Sequence, residues 1–327
     1  MTQAKDTPPD AAGVGRLMQR IRQEIGHALV GQQSVVEQVL IALLAGGHVL
    51  IEGVPGLGKT LLVRALARSF RGQFGRIQFT PDLMPADVMG YVLYDMQRER
   101  FELRKGPVFT HLLLADEINR APAKTQSALL EVMQERQVTI EGQSLPVPAP
   151  FMTLATQNPI EQEGTYPLPE AQLDRFLLKI LIDYPAAEEE GRLVAAVTDG
   201  QVGDGLNVDA VRPVMTPEAV LLAQQVTARL TVDPRLVDYA VALARATRDW
   251  QGIAVGAGPR GAIALIRAAR AAAVLDGRDF VTPADVKGVA LPALRHRIVL
   301  APELELEGIG PDRVLGEVLD GVAAPRL

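Results

Sequence analysis

The chain has 327 residues and a formal net charge of −6, which arises from 33 basic and 39 acidic residues. This length predicts two domains or one domain with a substantial appendage. The sequence has no block of five or more basic residues, which disfavours generic nucleic-acid binding. The absence of cysteine excludes a disulfide framework and thiolate metal sites. The sequence contains no uncharged apolar stretch of about 18 residues that would indicate membrane insertion. We therefore expect a cytoplasmic protein.

The N-terminal segment 1–15 is polar, contains a proline pair and has little to bury, so we predict a disordered lead. From Arg16 onward, apolar residues recur at the four-residue spacing of a helix, at Leu17, Ile21, Ile25 and Leu29. A second helix is predicted over 34–44. It leads directly into the first predicted strand.

Residues 53–60 form a complete G-x-x-x-x-G-K-T loop between an apolar run at 48–52 and a helix predicted over 59–70. Such a loop aims backbone N–H groups and the positive end of a helix dipole at a phosphate. Lys59 is expected to reach the β- and γ-phosphates, and the Thr60 hydroxyl to bind Mg²⁺. A glycine-rich turn without a ligand is the alternative. The residues expected to hold a nucleotide here are Gly53, Val54, Pro55, Gly56, Leu57, Gly58, Lys59, Thr60 and Leu61.

A second apolar run, 112–115, ends in Asp116 and Glu117, as in the other half of a nucleoside triphosphatase site. Carboxylates at the carboxyl end of a buried parallel strand face the crevice where open α/β sheets bind ligands. Asp116 is expected to hold Mg²⁺ through water, and Glu117 to polarise the water that attacks the γ-phosphate. The alternative is an acidic strand end in solvent, or a helix cap.

A third apolar strand, 152–155, is followed by Thr156, Gln157, Asn158 and Pro159. The Asn158 amide can donate one hydrogen bond and accept another, which suits a sensor of the γ-phosphate or of the attacking water. An ordinary Asn-Pro turn is the alternative.

Strands alternate with helices through the first half of the chain, which predicts a parallel sheet covered by helices. The predicted strands are 48–52, 76–79, 111–116, 151–156 and 177–182. Two hairpins interrupt this alternation, one within 92–103 and one within 137–147. In the second, Val138 and Ile140 are expected to face Leu145 and Val147 across residues 141–143. Each hairpin is either a surface insertion without a function or an element that takes part in the function.

Beyond Tyr184 the chain becomes rich in Ala, Val, Leu and Arg with helical periodicity, and helix starts are predicted at Thr216 and Thr282, each followed by proline. We therefore predict an α/β core over 16–184 and a smaller all-α domain over 185–327.

In order and spacing, these motifs resemble the MoxR branch of the AAA+ ATPases from about Gln19 to His296. The matching segments are Gly31-Gln32, 53–60, 116–121, 156–159, 168–176, 258–260 and 294–298. The resemblance implies a P-loop AAA+ parallel-sheet core with helices on both faces and inserted β-hairpins, followed by an all-α lid domain. It also implies a ring, usually a hexamer, in which ATP and Mg²⁺ lie between neighbours and both hairpins point toward the central pore.

The resemblance assigns roles to further residues. Arg175 matches the arginine finger that reaches the neighbour's γ-phosphate, and Arg260 matches a lid arginine that senses the nucleotide. Gly31 is expected to contact the nucleotide, and Arg120 is a weaker candidate for a contact across the interface. A surface or salt-bridged arginine is the alternative for each arginine.

The function implied is an ATP-hydrolysing ring that remodels or matures enzyme complexes, with an unidentified protein client and a partner that carries a von Willebrand factor A domain. A chelatase-like motor that inserts a metal is an alternative. A nucleic-acid motor is disfavoured by the negative net charge and by the mixed charges of the first hairpin. A scaffold that binds nucleotide without turnover is disfavoured by Glu117.

Overall fold

The computed structural model describes residues 10–54, 56–158, 165–198 and 208–326. The chain forms two compact units. One comprises Ile21–Val39 and Gly46–Pro217 and contains a five-stranded sheet. The other is mostly helical and comprises Glu218–Leu327 with Leu40–Ala45 and the N-terminal residues up to Arg20.

The sheet unit alternates strands and helices along the chain. Its strands are β1 (Val49–Gly53), β2 (Phe74–Gln78), β3 (Gly90–Asp95), β4 (Arg100–Lys105), β5 (Leu112–Asp116), β6 (Gln137–Ile140), β7 (Gln143–Pro146), β8 (Met152–Gln157) and β9 (Leu178–Ile182). The helices from the N-terminus to the end of this unit are α1 (Ala11–Gly26), α2 (Gln33–Leu44), α3 (Lys59–Ser69), α4 (Pro85–Met89), α5 (Ala123–Glu135), α6 (Glu170–Leu173) and α7 (Ala187–Thr198).

Five of these strands form one parallel sheet in the order β2-β5-β8-β1-β9, which confirms the predicted architecture. The central strands β1, β5 and β8 are apolar along nearly their whole length because helices bury them. Their polar residues stand at the carboxyl ends. The parallel order therefore collects these polar ends along one edge of the sheet.

Both predicted hairpins form as separate two-stranded sheets. In the second hairpin Val138 pairs with Leu145, but Ile140 pairs with Gln143, and neither of them pairs with Val147. The turn is one residue shorter than predicted because Glu141 and Gly142 both take positive φ, at 47° and 75°, as a two-residue type I′ turn requires.

The N-terminal prediction was wrong for residues 11–15, since α1 begins at Ala11. Asp10 caps the helix by accepting a hydrogen bond from the Gly13 N–H at 2.7 Å, and Val14 is fully buried. Within the helical unit, Gly15 lies so close to Val274 that a side chain at Gly15 would meet the Val274 carbonyl oxygen. Residues 1–9 of the predicted lead lie outside the described residues.

The helical unit contains α8 (Pro217–Ala228), α9 (Pro234–Asp249), β10 (Ile253–Val255), α10 (Pro259–Leu275), α11 (Pro283–Gly288), α12 (Ala290–Leu294), β11 (Val299–Leu300), α13 (Pro302–Leu306) and α14 (Pro311–Gly321). Thr282 forms the predicted cap of α11, in a reciprocal capping box with Asp285. None of the helices in the described ranges is both long and apolar enough to cross a membrane.

The division between the units falls at Pro217, later than the predicted boundary after residue 184. The intervening segment is held to the sheet unit at the end of α3. Arg68 donates hydrogen bonds to Asp209 and to the Val211 carbonyl, and the Ser69 carbonyl accepts from the Val214 N–H. Sequence periodicity gives no sign of these polar contacts.

Candidate active site

A cleft of about 400 Å³ lies at the carboxyl ends of the sheet strands, where the three polar motifs of the sequence meet. Fourteen described residues line it: Gly53, Gly56, Leu57, Gly58, Lys59, Thr60, Leu61, Arg76, Gln78, Asp116, Glu117, Thr156, Gln157 and Asn158. Twelve of them come from the end of β1, the loop that follows it, the first turn of α3, and the carboxyl-terminal side of β5 and β8. The other two, Arg76 and Gln78, belong to β2.

The loop between β1 and α3 needs glycine at two positions for different reasons. At Gly53 a Cβ atom would stand 2.5 Å from the Ile182 carbonyl oxygen, because β9 passes directly alongside. Gly58 has φ 73°, in the left-handed region, and a Cβ atom there would also crowd Leu29. The glycines therefore let the backbone turn sharply into α3.

The first turn of α3 supplies donors to the cleft. Its N-cap residue is Gly58, which has no side chain to cap the helix, and the backbone N–H groups at the start of a helix have no intrahelical partners. These groups and the helix dipole favour an anion in the cleft. The Lys59 ammonium donates to the Gly53 carbonyl. Burial lowers the pKa of Lys59, while the nearby carboxylates of Asp116, Glu117 and Glu52 oppose that shift.

Asp116 and Glu117 are fixed by the neighbouring strand β8. The Thr156 hydroxyl donates to Asp116 Oδ1 at 2.6 Å and accepts from the Glu117 N–H at 2.9 Å. Glu117 has φ 56° and ψ 50°, an uncommon backbone conformation for a residue other than glycine. This turn ends the strand, so that two successive carboxylates can both line the cleft.

Two residues of β2 contact these carboxylates, and sequence reasoning missed both. Arg76 Nη2 donates to Asp116 Oδ2 and to Gln78 Oε1, each at 2.8 Å. Gln78 Nε2 donates to Glu117 Oε2 at 2.9 Å, and Arg120 Nη1 donates to the same oxygen at 2.8 Å. A signal existed in the sequence, because polar and apolar residues alternate along the strand predicted at 76–79.

The residues assigned to Mg²⁺ fit that ion. Thr60 and Asp116 line the same cleft and offer oxygen atoms, and Mg²⁺ is bound through one or two protein oxygens together with water and substrate phosphates. Asn158 also lines the cleft. The arrangement can bind a triphosphate and place a carboxylate near a water molecule.

Some residues predicted to contact the nucleotide are not among the described residues that line this cleft. Gly31 has φ 74° and lies against the Glu189 side chain, whereas its neighbour Gln32 donates to the Leu57 carbonyl at 2.9 Å. Val54 is not among the described lining residues. Pro55 and Pro159 lie outside the described residues. Arg260 is the second residue of α10 in the helical unit, and its contact with the nucleotide stays a prediction.

Arg175 lies far from the cleft of its own sheet. It precedes β9, at the amino end of the strand, whereas the cleft lies at the carboxyl ends, and five strand residues span about 16 Å. Its Nη1 donates to the Leu130 carbonyl at 2.6 Å. Arg175 therefore cannot serve the cleft of its own chain.

The first hairpin carries an apolar face that becomes exposed toward its tip. Val92 pairs with Leu103, and both pack against the core of the sheet unit. Two positions farther along the same face, Tyr94 pairs with Phe101 in an edge-to-face contact, with ring centroids 5.2 Å apart. Phe101 is 74% exposed and Met96, in the turn, is 85% exposed.

Comparison with known proteins agrees with this architecture. A family model described as "ATPase family associated with various cellular activities (AAA)" matches residues 48–178, and one described as "AAA lid domain" matches residues 245–318. The sheet unit and the helical unit each contain one of these matches. The fold and the cleft therefore belong to the AAA class of ATPases.

Similarity to individual proteins identifies the family within this class of ATPases. The chain is 45% identical to Chaperone MoxR1 of Mycobacterium tuberculosis over 99% of this chain and 88% of that protein, and 33% identical to Protein MoxR of Methylorubrum extorquens over 94% of each. A crystal structure from Cytophaga hutchinsonii superposes with a TM-score of 0.89 at 42% identity, over 97% of both chains. The chain belongs to the MoxR family of AAA+ ATPases.

Proposed function

We propose that this protein binds Mg²⁺·ATP in the cleft and hydrolyses it to ADP and phosphate. The observation that carries the proposal is the meeting, in one cleft, of the start of α3, the Lys59 ammonium and the carboxylates of Asp116 and Glu117. Hydrogen-bond donors for a phosphate, next to carboxylates that can act as a general base, suit phosphoryl transfer to water. Membership of the AAA class supports the same reaction.

Each residue has a distinct part in this mechanism. The backbone of residues 56–61 cradles the phosphates, and Lys59 neutralises charge on the β- and γ-phosphates. Thr60 and Asp116 would hold Mg²⁺, which would neutralise charge on the phosphate oxygens. Glu117 accepts a hydrogen bond from the attacking water and orients it toward phosphorus. Asn158 donates a hydrogen bond to the γ-phosphate or the water.

The reaction needs an additional positive charge at the transition state, and we propose that Arg175 of a neighbouring subunit supplies it within a ring, usually a hexamer. The distance between Arg175 and its own cleft supports a role in trans. A guanidinium stays charged and can bond two phosphate oxygens at once. Arginine fingers of this kind raise turnover by about 10³–10⁵. We also propose that Arg260 senses the nucleotide from the helical unit.

We further propose that hydrolysis drives remodelling of a client protein, in a complex with a partner that carries a von Willebrand factor A domain. The name of the relative Chaperone MoxR1 supports a chaperone role. The apolar tip formed by Tyr94, Met96 and Phe101 supports it independently, because an exposed apolar patch on an inserted hairpin suits a protein contact.

ATP turnover by the purified protein tests the enzymatic proposal. Lys59→Ala should abolish phosphate release, because the cleft loses its only lysine among the described lining residues. Lys287→Ala, a matched change at an exposed position of α11 in the helical unit, should turn over ATP as the wild type does. Equal turnover by both variants would contradict the assignment of this cleft.

Partner affinity tests the remodelling proposal. A von Willebrand factor A domain protein encoded beside this chain should bind more tightly with ATP than with ADP, because a partner with equal affinity for both states cannot be driven by hydrolysis. Phe101→Ser should weaken client or partner binding without changing ATP turnover. Phe280→Ser, at an exposed phenylalanine of the helical unit, is the control. Equal affinities in the ATP and ADP states would refute remodelling and leave the ATPase assignment standing.

A further inference from the structure

Asp116 has both carboxylate oxygens engaged by side chains. Oδ1 accepts from the Thr156 hydroxyl at 2.6 Å, and Oδ2 accepts from Arg76 Nη2 at 2.8 Å. Thr156 is neutral and only orients the carboxylate, whereas Arg76 carries a full positive charge. A metal ion at Asp116 would therefore compete with Arg76 for the negative charge of this carboxylate.

The position of Arg76 follows from the strand order. Strand β2 lies next to β5, and the register sets Gln78 opposite Asp116. Arg76 stands two residues before Gln78 and so shares its face of the sheet. Its long side chain extends along that face to the carboxylate and also lines the cleft.

The pair between Arg76 and Asp116 is suited to exchange. The Arg76 side chain is 47% exposed and that of Asp116 is 18% exposed. Partly exposed ion pairs are weak, so a divalent cation can displace the arginine from the carboxylate. The displaced guanidinium would remain in the cleft with Lys59, where its planar fork suits the oxygens of a phosphate.

We propose that Arg76 exchanges partners as ATP binds: it neutralises Asp116 until Mg²⁺ takes that charge, and it then bonds the γ-phosphate. The proposal rests on the proposed function, since it requires Mg²⁺·ATP in this cleft. ADP has no γ-phosphate and leaves Arg76 on Asp116. Arg76 therefore favours ATP over ADP and weakens metal binding in the ADP complex.

Equilibrium binding to the Arg76→Gln protein tests this exchange. Affinity for the non-hydrolysable analogue AMP-PNP with Mg²⁺ should fall about tenfold, because one charged phosphate contact is lost, while affinity for ADP should change less than about twofold. Affinity of the ADP complex for Mn²⁺, a paramagnetic substitute for Mg²⁺, should rise about fivefold because the competing cation is gone.

Two further variants separate charge from geometry. Arg71→Gln removes an equal charge beyond the far end of α3, about 16 Å along the helix from the phosphate loop, and should leave all three affinities unchanged. Arg76→Lys keeps the charge without the fork, so it should restore the wild-type Mn²⁺ affinity more fully than the AMP-PNP affinity.

The outcomes are distinct. Equal losses of AMP-PNP and ADP affinity would show that Arg76 does not contact the γ-phosphate, and an unchanged or lowered Mn²⁺ affinity would show that it does not compete with the metal. Either result overturns the proposal while the proposed function stands. A wild-type protein that binds neither nucleotide would overturn both together.

Discussion

Thr156 is the residue whose removal should most directly reveal how the two carboxylates are held. It is 1% exposed, and its hydroxyl both donates to Asp116 and accepts from the Glu117 N–H. Thr156→Val keeps the side-chain shape and removes both hydrogen bonds. No cavity forms, so the loss reports the polar contacts alone.

The loss of folding stability in Thr156→Val can be estimated from these two hydrogen bonds. A hydrogen bond to a charged group contributes about 1.5–3 kcal/mol, and a buried N–H left without a partner costs about 1–3 kcal/mol. Asp116 keeps its bond to Arg76 and some exposure, which reduces the first contribution. We therefore expect the free energy of unfolding to fall by about 2–4 kcal/mol.

Urea unfolding followed by circular dichroism measures this loss. Thr156→Ser is the control, because it keeps the hydroxyl and removes one methyl group, at a cost of about 1 kcal/mol. The unusual backbone of Glu117 should relax in the valine variant, since such conformations persist only where neighbours enforce them. Equal stabilities of the valine and serine variants would refute the reasoning.

Two further predictions concern the ring and the helical unit. Arg175→Ala should bind ATP yet lose most turnover, and mixing it with inactive Lys59→Ala subunits should restore some activity; no recovery in rings shown to have exchanged subunits would contradict a role in trans. Asp285 accepts bonds from Arg278 at 2.6 and 2.7 Å, and although burial raises its pKa, those bonds and Thr282 lower it below its ordinary value. Asp285→Asn should therefore cost about 2–3 kcal/mol at neutral pH. A carboxyl group whose pKa is lowered by folding stabilises the folded state at pH values above its unfolded pKa of about 3.9. The difference in unfolding free energy between the wild type and Asp285→Asn should therefore vanish as the pH falls through the folded pKa. A difference that persists in acid would contradict the pairing.

The sequence predicted the parts of the site that depend on local pattern. The loop at 53–60 and the pair Asp116–Glu117 each combine an apolar strand with the residues that follow it, so one segment carries the whole signal. The parallel sheet was predictable for the same reason, since its central strands are continuous apolar runs.

The features that were missed depend on contacts between distant segments. Arg76 and Gln78 reach the carboxylates only because β2 lies beside β5 in a particular register, which no local pattern encodes. The early start of α1 depends on Gly15 packing against Val274, and the late unit boundary depends on Arg68 binding residues far along the chain.

Equilibrium binding of a labelled ATP analogue, measured beside turnover for two variants, tests the central claim most directly. Glu117→Gln should bind ATP as tightly as the wild type and fail to hydrolyse it, because only the carboxylate that orients water is lost. Lys59→Ala should lose binding itself. Loss of ATP binding by Glu117→Gln, or continued turnover by that variant, would contradict the assignment of this cleft as an ATPase site.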